Sequence, residues 1–213
     1  DVQGAFIPGM GGLPVPGGAD VIPVILRVAK TFGNIYRSLD CHPEGHISLA
    51  STYPRYDAMH VLTAESLKGD MENGVVRIRS EKVTIVDLVV YMKLVGTQVL
   101  WPDHAIKGSG EELLHPALAG LKFAGAIIKG MDPLCDSYSA FRDNLKNPTG
   151  LGDMLKHAGI TRVFCAGLAE DFCVGYTALD AVDMGFEAYI IADATRPVDA
   201  PLPGGITSLE AIR

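Results

Sequence analysis

Apolar and polar positions alternate along the chain in a pattern that predicts strands followed by helices. Apolar, β-rich runs predict strands over residues 34–39, 123–128, 162–166 and 188–192. Apolar residues at helical spacing predict helices over residues 20–32, 151–158 and 174–185. Short connections between such elements predict an α/β fold, in which helices cover both faces of a parallel sheet.

Residues 51–98 have a weaker pattern than the rest of the chain. A helix is predicted over residues 56–67 and a strand over residues 75–79, while residues 84–95 fit either period. We interpret residues 51–98 as an insertion, forming a lid or an edge structure, in a single domain of residues 1–213. Both ends look truncated, because we expect Asp1 to follow a strand and Thr207 to begin a helix.

Composition and charge exclude several classes of protein. The chain has 213 residues, of which 48% are hydrophobic, and a formal net charge of -7 without a basic run, which argues against a nucleic-acid partner. No apolar run reaches the roughly 18 residues that a membrane span needs. The four cysteines do not follow a disulfide spacing, so we expect free thiols and a reducing, cytoplasmic location. The partner we expect is a small molecule, and a homo-oligomer stays open.

The segment over residues 161–185 has the pattern of a nucleophile turn. A strand-like run is followed by small residues, then by Glu170-Asp171-Phe172-Cys173 and a helical pattern that ends at Gly185. Cys173 is therefore predicted at the first turn of a helix, where the N-terminal dipole lowers a thiol pKa. The alternative interpretation is a buried, unreactive cysteine.

Chemically useful groups follow several predicted strands. Asp1, Asp40, Lys129 and the turn before Cys173 all lie at predicted strand ends, where parallel sheets bind their ligands. An aspartate and a histidine two residues apart, Asp40 and His42, suit Zn²⁺, Fe²⁺ or Mn²⁺. His46 is a further candidate, as a ligand or a neighbour of the ligands, and His104 lies in a later loop. A chance pair on a surface loop is the alternative.

Six stretches together resemble the nicotinamide-hydrolysing members of the isochorismatase-like cysteine hydrolases. They are Asp1-Val2-Gln3 with Phe6, Asp40-Cys41-His42-Pro43, Trp101-Pro102-Asp103-His104, Lys129-Gly130, Asp136-Ser137-Tyr138-Ser139-Ala140-Phe141, and Gly167-Leu168-Ala169-Glu170-Asp171-Phe172-Cys173-Val174. Cys41 stands where the family usually has Trp, and Ala105 where it has Cys. Neither position is catalytic in the family. The resemblance implies a Rossmann-like, three-layer α/β/α fold.

The resemblance also implies roles for individual residues. Asp1, Lys129 and Cys173 form the catalytic triad, with Cys173 as nucleophile, Asp1 as base and then acid, and Lys129 as the charge that favours both anions. A cis peptide between Leu168 and Ala169 aims the Ala169 N–H, with that of Cys173, at the oxyanion.

A metal site and a ring pocket are implied in the same way. One divalent metal, Zn²⁺ by preference with Fe²⁺ or Mn²⁺ as options, is expected on Asp40, His42 and His104, holding the pyridine nitrogen of the substrate. The residues implied as walls for a flat aromatic ring are Phe6, Trp101, Tyr138 and Phe172. For each aromatic side chain alone, core packing is the alternative.

The function expected from the resemblance is hydrolysis of nicotinamide to nicotinate and ammonia through a cysteine thioester. The nearest alternative is a relative that acts on another small amide, such as a carbamoyl or ureido compound, for which a metal trio has no evident use. A non-catalytic binding module would be expected to lack a triad member. A hydrolase of chorismate-type vinyl ethers would have no use for Cys173.

Overall fold

A computed structural model describes residues 1–213 and shows six strands and six α-helices. The strands are β1 (Tyr36–Asp40), β2 (His60–Thr63), β3 (Thr97–Leu100), β4 (Gly125–Lys129), β5 (Arg162–Leu168) and β6 (Glu187–Arg196). The helices are α1 (Val21–Val28), α2 (Ala64–Glu72), α3 (Ile85–Val95), α4 (Leu151–His157), α5 (Gly175–Asp183) and α6 (Ser208–Ile212). Every strand and helix predicted outside residues 51–98 is present within a few residues of its predicted bounds.

The parallel pairing predicted for the sheet occurs in two pairs of strands. β1 pairs with β4, and β5 pairs with β6, both in parallel. Consecutive residues 35–38 and 162–166 line one apolar groove, so the backbone edges of β1 and β5 face each other across it. Asp1 lies at this groove, and its main-chain carbonyl accepts a hydrogen bond from the Leu168 N–H at 3.2 Å. The two parallel pairs therefore present their carboxyl ends on the same side as Asp1.

Residues 51–98, which we interpreted as an insertion, fold differently from their sequence pattern. The helix predicted over residues 56–67 is wrong, because β2 pairs there with β3 in antiparallel register and α2 begins only after Thr63. Thr63 ends the strand and caps the helix, since its hydroxyl accepts the Ser66 N–H and Ser66 Oγ accepts the Thr63 N–H. The strand predicted over residues 75–79 is also wrong, for this stretch is irregular. Residues 84–95 form α3 with its cap.

The pocket and residues 51–98 are associated with separate apolar clusters. One contains Phe6, Trp101, Leu168 and Phe172 and lies beneath the pocket described below. A second, which we call the insertion core, combines residues of α2, α3, β2 and β3 with residues outside these elements, and it contains Tyr53, Leu62 and Tyr91. Trp101 directly follows β3 and belongs to the first cluster, so β3 is one connection between the insertion and the pocket. No helix in the structure has the length and apolar character that crossing a membrane requires.

Candidate active site

Backbone pairing brings the predicted strand-end residues together. Asp40 and Lys129 are the last residues of β1 and β4 and stand opposite each other in the register. The Gln3 side chain joins the Asp1 segment to β1, because it accepts the Asp40 N–H and donates to the Asp40 carbonyl, both at 2.7 Å. The Gln3 amide therefore pairs with the Asp40 backbone as a neighbouring strand would, and it holds the end of β1 beside Asp1.

Lys129 lies at the centre of the site. Its Nζ atom is 3.1 Å from Asp1 Oδ2, 3.2 Å from Asp40 Oδ1 and 3.4 Å from Cys173 Sγ. It also donates to the Ser137 carbonyl at 2.9 Å. The Lys129 and Asp1 side chains are fully buried, so one ammonium serves two carboxylates and a thiol away from water. The Asp1 carboxylate and the Cys173 thiol, predicted to form a triad with Lys129, therefore both lie within 3.4 Å of the Lys129 Nζ atom.

The electrostatics of this cluster differ in one respect from the sequence prediction. Burial opposes the charge on Lys129, but Asp40 and Cys173 outweigh it and raise the Lys129 pKa to about 12. Burial raises the pKa of the Cys173 thiol above its usual value, while Lys129 acts to lower it. The lowered thiol pKa predicted from a helix N-terminus is therefore wrong for the free site. Cys173 lies in a π-helical turn, Glu170–Val174, that precedes α5.

Asp1 and Ala169 present unengaged polar groups beside Cys173. Neither carboxylate oxygen of Asp1 has a hydrogen-bond partner, so its contact with Lys129 is an ion pair alone. The peptide bond between Leu168 and Ala169 is cis, as the resemblance implied. The Ala169 N–H makes no backbone hydrogen bond, and Ala169 lines the same small pocket as Cys173.

The three predicted metal ligands converge on one oxygen atom. Asp40 Oδ2 lies 3.2 Å from His42 Nε2 and 3.6 Å from His104 Nε2. The Nδ1 atoms face backbone carbonyls, that of Gly130 at 3.0 Å from His42 and that of Pro102 at 2.8 Å from His104. A neutral imidazole that donates from Nδ1 presents a lone pair at Nε2. Two lone pairs then face a carboxylate oxygen, an arrangement that fits a cation.

The charges around Asp40 favour a positive partner, either a proton on His42 or a cation that replaces it. Burial alone would raise the pKa of Asp40, but His42 and Lys129 hold it well below its usual range. Burial opposes protonation of His42, yet Asp40 raises the His42 pKa. Asp1, Asp40 and Asp136 are buried carboxylates, and Lys129 is the one buried lysine or arginine. A divalent cation would neutralise the remaining negative charge.

Gly130 provides the space for these ligands. Its φ of +72° is strained for other residues, and a Cβ placed there would lie 2.6 Å from His42 Cε1 and 2.8 Å from Asp40 Oδ1. His46, left open by the sequence, lies with His42 and Asp136 in a second group of possible ligand atoms within 4.8 Å of one another, and its Nδ1 faces Ser48 Oγ at 2.8 Å and its Nε2 the Cys135 carbonyl at 3.2 Å. Burial and His42 lower its pKa to about 4, and its ring packs against that of His42 with centroids 4.4 Å apart. His46 therefore supports the His42 ring from behind.

The four predicted wall residues line one small pocket together with Cys173, Asp40 and His104. The Phe172 ring meets the Trp101 ring edge to face at 4.7 Å and the Tyr138 ring at 5.2 Å between centroids. Phe6 packs near His104 at 5.6 Å. The nucleophile and two of the three predicted ligands, Asp40 and His104, thus line the same aromatic slot. A larger apolar cavity, the groove between β1 and β5, adjoins the site, because Asp1 and Cys173 line it as well.

The sequence analysis assigned no role to two buried polar residues near the pocket, Asp136 and Gln98. Asp136 is 2% exposed and lines the pocket, and its Oδ2 accepts a hydrogen bond from Gln98 Nε2 at 2.8 Å. Gln98 is 1% exposed and comes from β3, 38 positions away. Asp136 belonged to a recognised stretch, but nothing in the sequence pairs it with Gln98.

Comparisons with known proteins agree on the family. The Isochorismatase domain family model matches residues 78–201. The nicotinamidase of Acinetobacter baylyi is 36% identical over 201 residues, which cover 93% of this chain and 79% of that protein. The nicotinamidase of Escherichia coli is 32% identical over 204 residues, covering 93% of this chain and 81% of that protein.

Solved structures give the same result. The Acinetobacter baumanii nicotinamidase pyrazinamidease superposes with a TM-score of 0.79 at 35% identity, covering 100% of this chain and 86% of that one. The pyrazinamidase of Pyrococcus horikoshii, solved in complex with zinc, superposes with a TM-score of 0.61 at 26% identity, covering 100% of this chain and 90% of that one. The fold, the arrangement at the strand ends and these similarities lead to one conclusion: the chain belongs to the isochorismatase family.

Proposed function

We propose that the chain hydrolyses nicotinamide to nicotinate and ammonia through a thioester on Cys173, as a step in NAD salvage. The observation that carries the proposal is the placement of the Asp1 carboxylate and the Cys173 thiol on one buried ammonium, beside an aromatic slot. The similarity to proteins named nicotinamidase supports the substrate.

The first half of the reaction forms the thioester. The Asp1 carboxylate, whose oxygens are free of hydrogen bonds, accepts the thiol proton of Cys173. The sulfur attacks the carboxamide carbon, and the carbonyl oxygen takes up the negative charge. The carbon–nitrogen bond then breaks, and Asp1 returns the proton to the leaving nitrogen, which departs as ammonia.

The second half releases nicotinate. Asp1 removes a proton from a water molecule that attacks the thioester carbon, the carbon–sulfur bond breaks, and the sulfur regains a proton. Lys129 favours the thiolate at both stages, because it offsets the burial that raises the thiol pKa. The Ala169 N–H, free of backbone partners, and the Cys173 N–H stabilise the oxyanion.

Asp40, His42 and His104 would hold one divalent metal, and we favour zinc because nitrogen and carboxylate ligands suit it. The pyrazinamidase solved with zinc supports this assignment. When bound, the metal supplies an electron-pair acceptor for the pyridine nitrogen. The chain's own contribution is the orientation of both imidazoles by the Gly130 and Pro102 carbonyls. Phe6, Trp101, Tyr138 and Phe172 confine the substrate ring.

Ammonia release from a panel of amides tests the proposal. The panel holds nicotinamide, pyrazinamide, benzamide and a small ureido compound, each with wild type and Cys173→Ala. We expect kcat/KM to be highest for nicotinamide and pyrazinamide. A preference for the ureido compound would instead support the alternative of another small amide.

A further inference from the structure

A closed ring of polar residues joins the insertion core to the pocket. Tyr91 Oη donates to Gln98 Oε1 at 2.6 Å, and Gln98 Nε2 donates to Asp136 Oδ2 at 2.8 Å. The Asn144 main-chain N–H donates to the Asp136 carbonyl at 2.8 Å, and Asn144 Nδ2 returns to Tyr91 Oη at 3.4 Å. We call these four residues the polar ring. Tyr91, Gln98 and Asp136 are each at most 2% exposed.

Members of the polar ring form hydrogen bonds with the two residues that follow Asp136, Ser137 and Tyr138. Ser137 N–H donates to Asp136 Oδ1 at 2.8 Å, and the Ser137 carbonyl accepts the Lys129 ammonium at 2.9 Å. Tyr138 N–H donates to Asn144 Oδ1 at 3.3 Å, and Gln98 Nε2 approaches Tyr138 Oη at 3.3 Å. The same short segment therefore carries an acceptor for Lys129 and a wall of the pocket.

Stability alone is a weak explanation for the polar ring. Buried polar groups cost free energy to desolvate, and apolar residues of the same shape are often as stable. A fully satisfied network does fix one arrangement of its members. Here the fixed arrangement sets where the Ser137 carbonyl and the Tyr138 ring lie relative to Lys129 and Phe172.

We propose that Gln98 and Asp136 are positioning residues, through which the insertion core fixes Ser137 and Tyr138 and thereby aims Lys129 at Cys173. The kinetic consequence rests on the proposed function. The expected change in the reactivity of the Cys173 thiol does not depend on the proposed function, because it follows from the contacts of Lys129 with Ser137 and Cys173. Neither residue is assigned a contact with the reacting atoms.

Two tyrosine variants provide a matched test. Tyr91→Phe removes one buried hydroxyl from the polar ring. Tyr53→Phe removes one buried hydroxyl from the same insertion core, where Tyr53 Oη donates to the Ile47 carbonyl at 2.7 Å outside the ring. The measurements are KM and kcat for nicotinamide, the thermal midpoint, and the rate at which iodoacetamide alkylates Cys173, followed by mass spectrometry.

We expect Tyr91→Phe to slow alkylation of Cys173 and to raise KM, each by roughly five- to tenfold, the factor that one lost hydrogen bond gives. Tyr53→Phe is expected to lower the thermal midpoint about as much as Tyr91→Phe does. Its alkylation rate and its KM should stay within about twofold of wild type. Asp136→Asn, which keeps the shape but replaces an acceptor by a donor, should slow alkylation further.

The alkylation rates decide between the outcomes. Equal rates in Tyr91→Phe and Tyr53→Phe overturn the inference, whether or not nicotinamide is hydrolysed. If wild type hydrolyses no nicotinamide and Tyr91→Phe is still alkylated more slowly than Tyr53→Phe, the proposed function fails and the positioning role stands.

Discussion

Replacing Lys129 by methionine should sharply reduce the reactivity of Cys173. The ammonium lies 3.4 Å from Sγ. At an effective dielectric constant of about 20, a unit charge at this distance favours the thiolate by about 5 kcal/mol. Losing the ammonium therefore raises the thiol pKa, and each 1.36 kcal/mol or so lowers the thiolate population about tenfold. The thiolate fraction at neutral pH then falls by more than a thousandfold.

Part of this loss is offset, since a more basic thiolate is a better nucleophile, with a Brønsted slope of about 0.4–0.5. The net expectation for Lys129→Met is roughly a hundredfold slower alkylation by iodoacetamide at pH 7. The variant also leaves Asp1 and Asp40 buried without their shared cation, which should cost about 3–5 kcal/mol of stability. Lys122→Met, an exposed change just before the same strand, is the control. A folded Lys129→Met alkylated within threefold of wild type would refute the role assigned to the ammonium.

Three further predictions concern the nucleophile and the ligands. Cys173→Ala should remove all ammonia release while Cys135→Ala retains it, and appreciable turnover in purified Cys173→Ala would exclude the thioester. Chelation should lower kcat/KM far more for nicotinamide than for benzamide, which lacks the ring nitrogen, with metal content followed by elemental analysis; equal fractional losses would point to metal-assisted attack by water. Because the pKa of Asp40 is held well below its usual range, Asp40 stabilises the fold above pH 4 or so and loses that effect as the pH falls. In chelator, the difference in unfolding free energy between wild type and Asp40→Asn should therefore shrink in acid, and a constant difference would contradict the assignment.

Much of the site could be predicted from local sequence, because its residues follow strands. Asp40 and Lys129 lie at the ends of β1 and β4, and parallel pairing brings such ends to one edge. The alternation of apolar residues also located the main strands and helices. These features depend on neighbours in sequence, which a pattern records.

What the sequence did not predict depends on contacts between distant segments. The boundary between β2 and α2 was missed because β2 is fixed by its pairing with β3 and by the Thr63 cap. The raised thiol pKa of Cys173 follows from burial, which helix position alone does not give. Gln98 and Asp136 meet across 38 residues, so neither could be paired from local pattern.

Asp40 divides its two oxygens between the two halves of the site, with Oδ1 facing Lys129 and Oδ2 facing the histidines. This sharing makes the halves thermodynamically linked. A cation that draws charge from Oδ2 leaves Lys129 less neutralised, which strengthens its effect on the Cys173 thiolate. Linkage is reciprocal, so ionisation of the thiol must tighten the hold on the cation by the same factor. The change that the cation causes in the thiol pKa and the change that thiol ionisation causes in cation affinity are then one coupling free energy, measured in two ways.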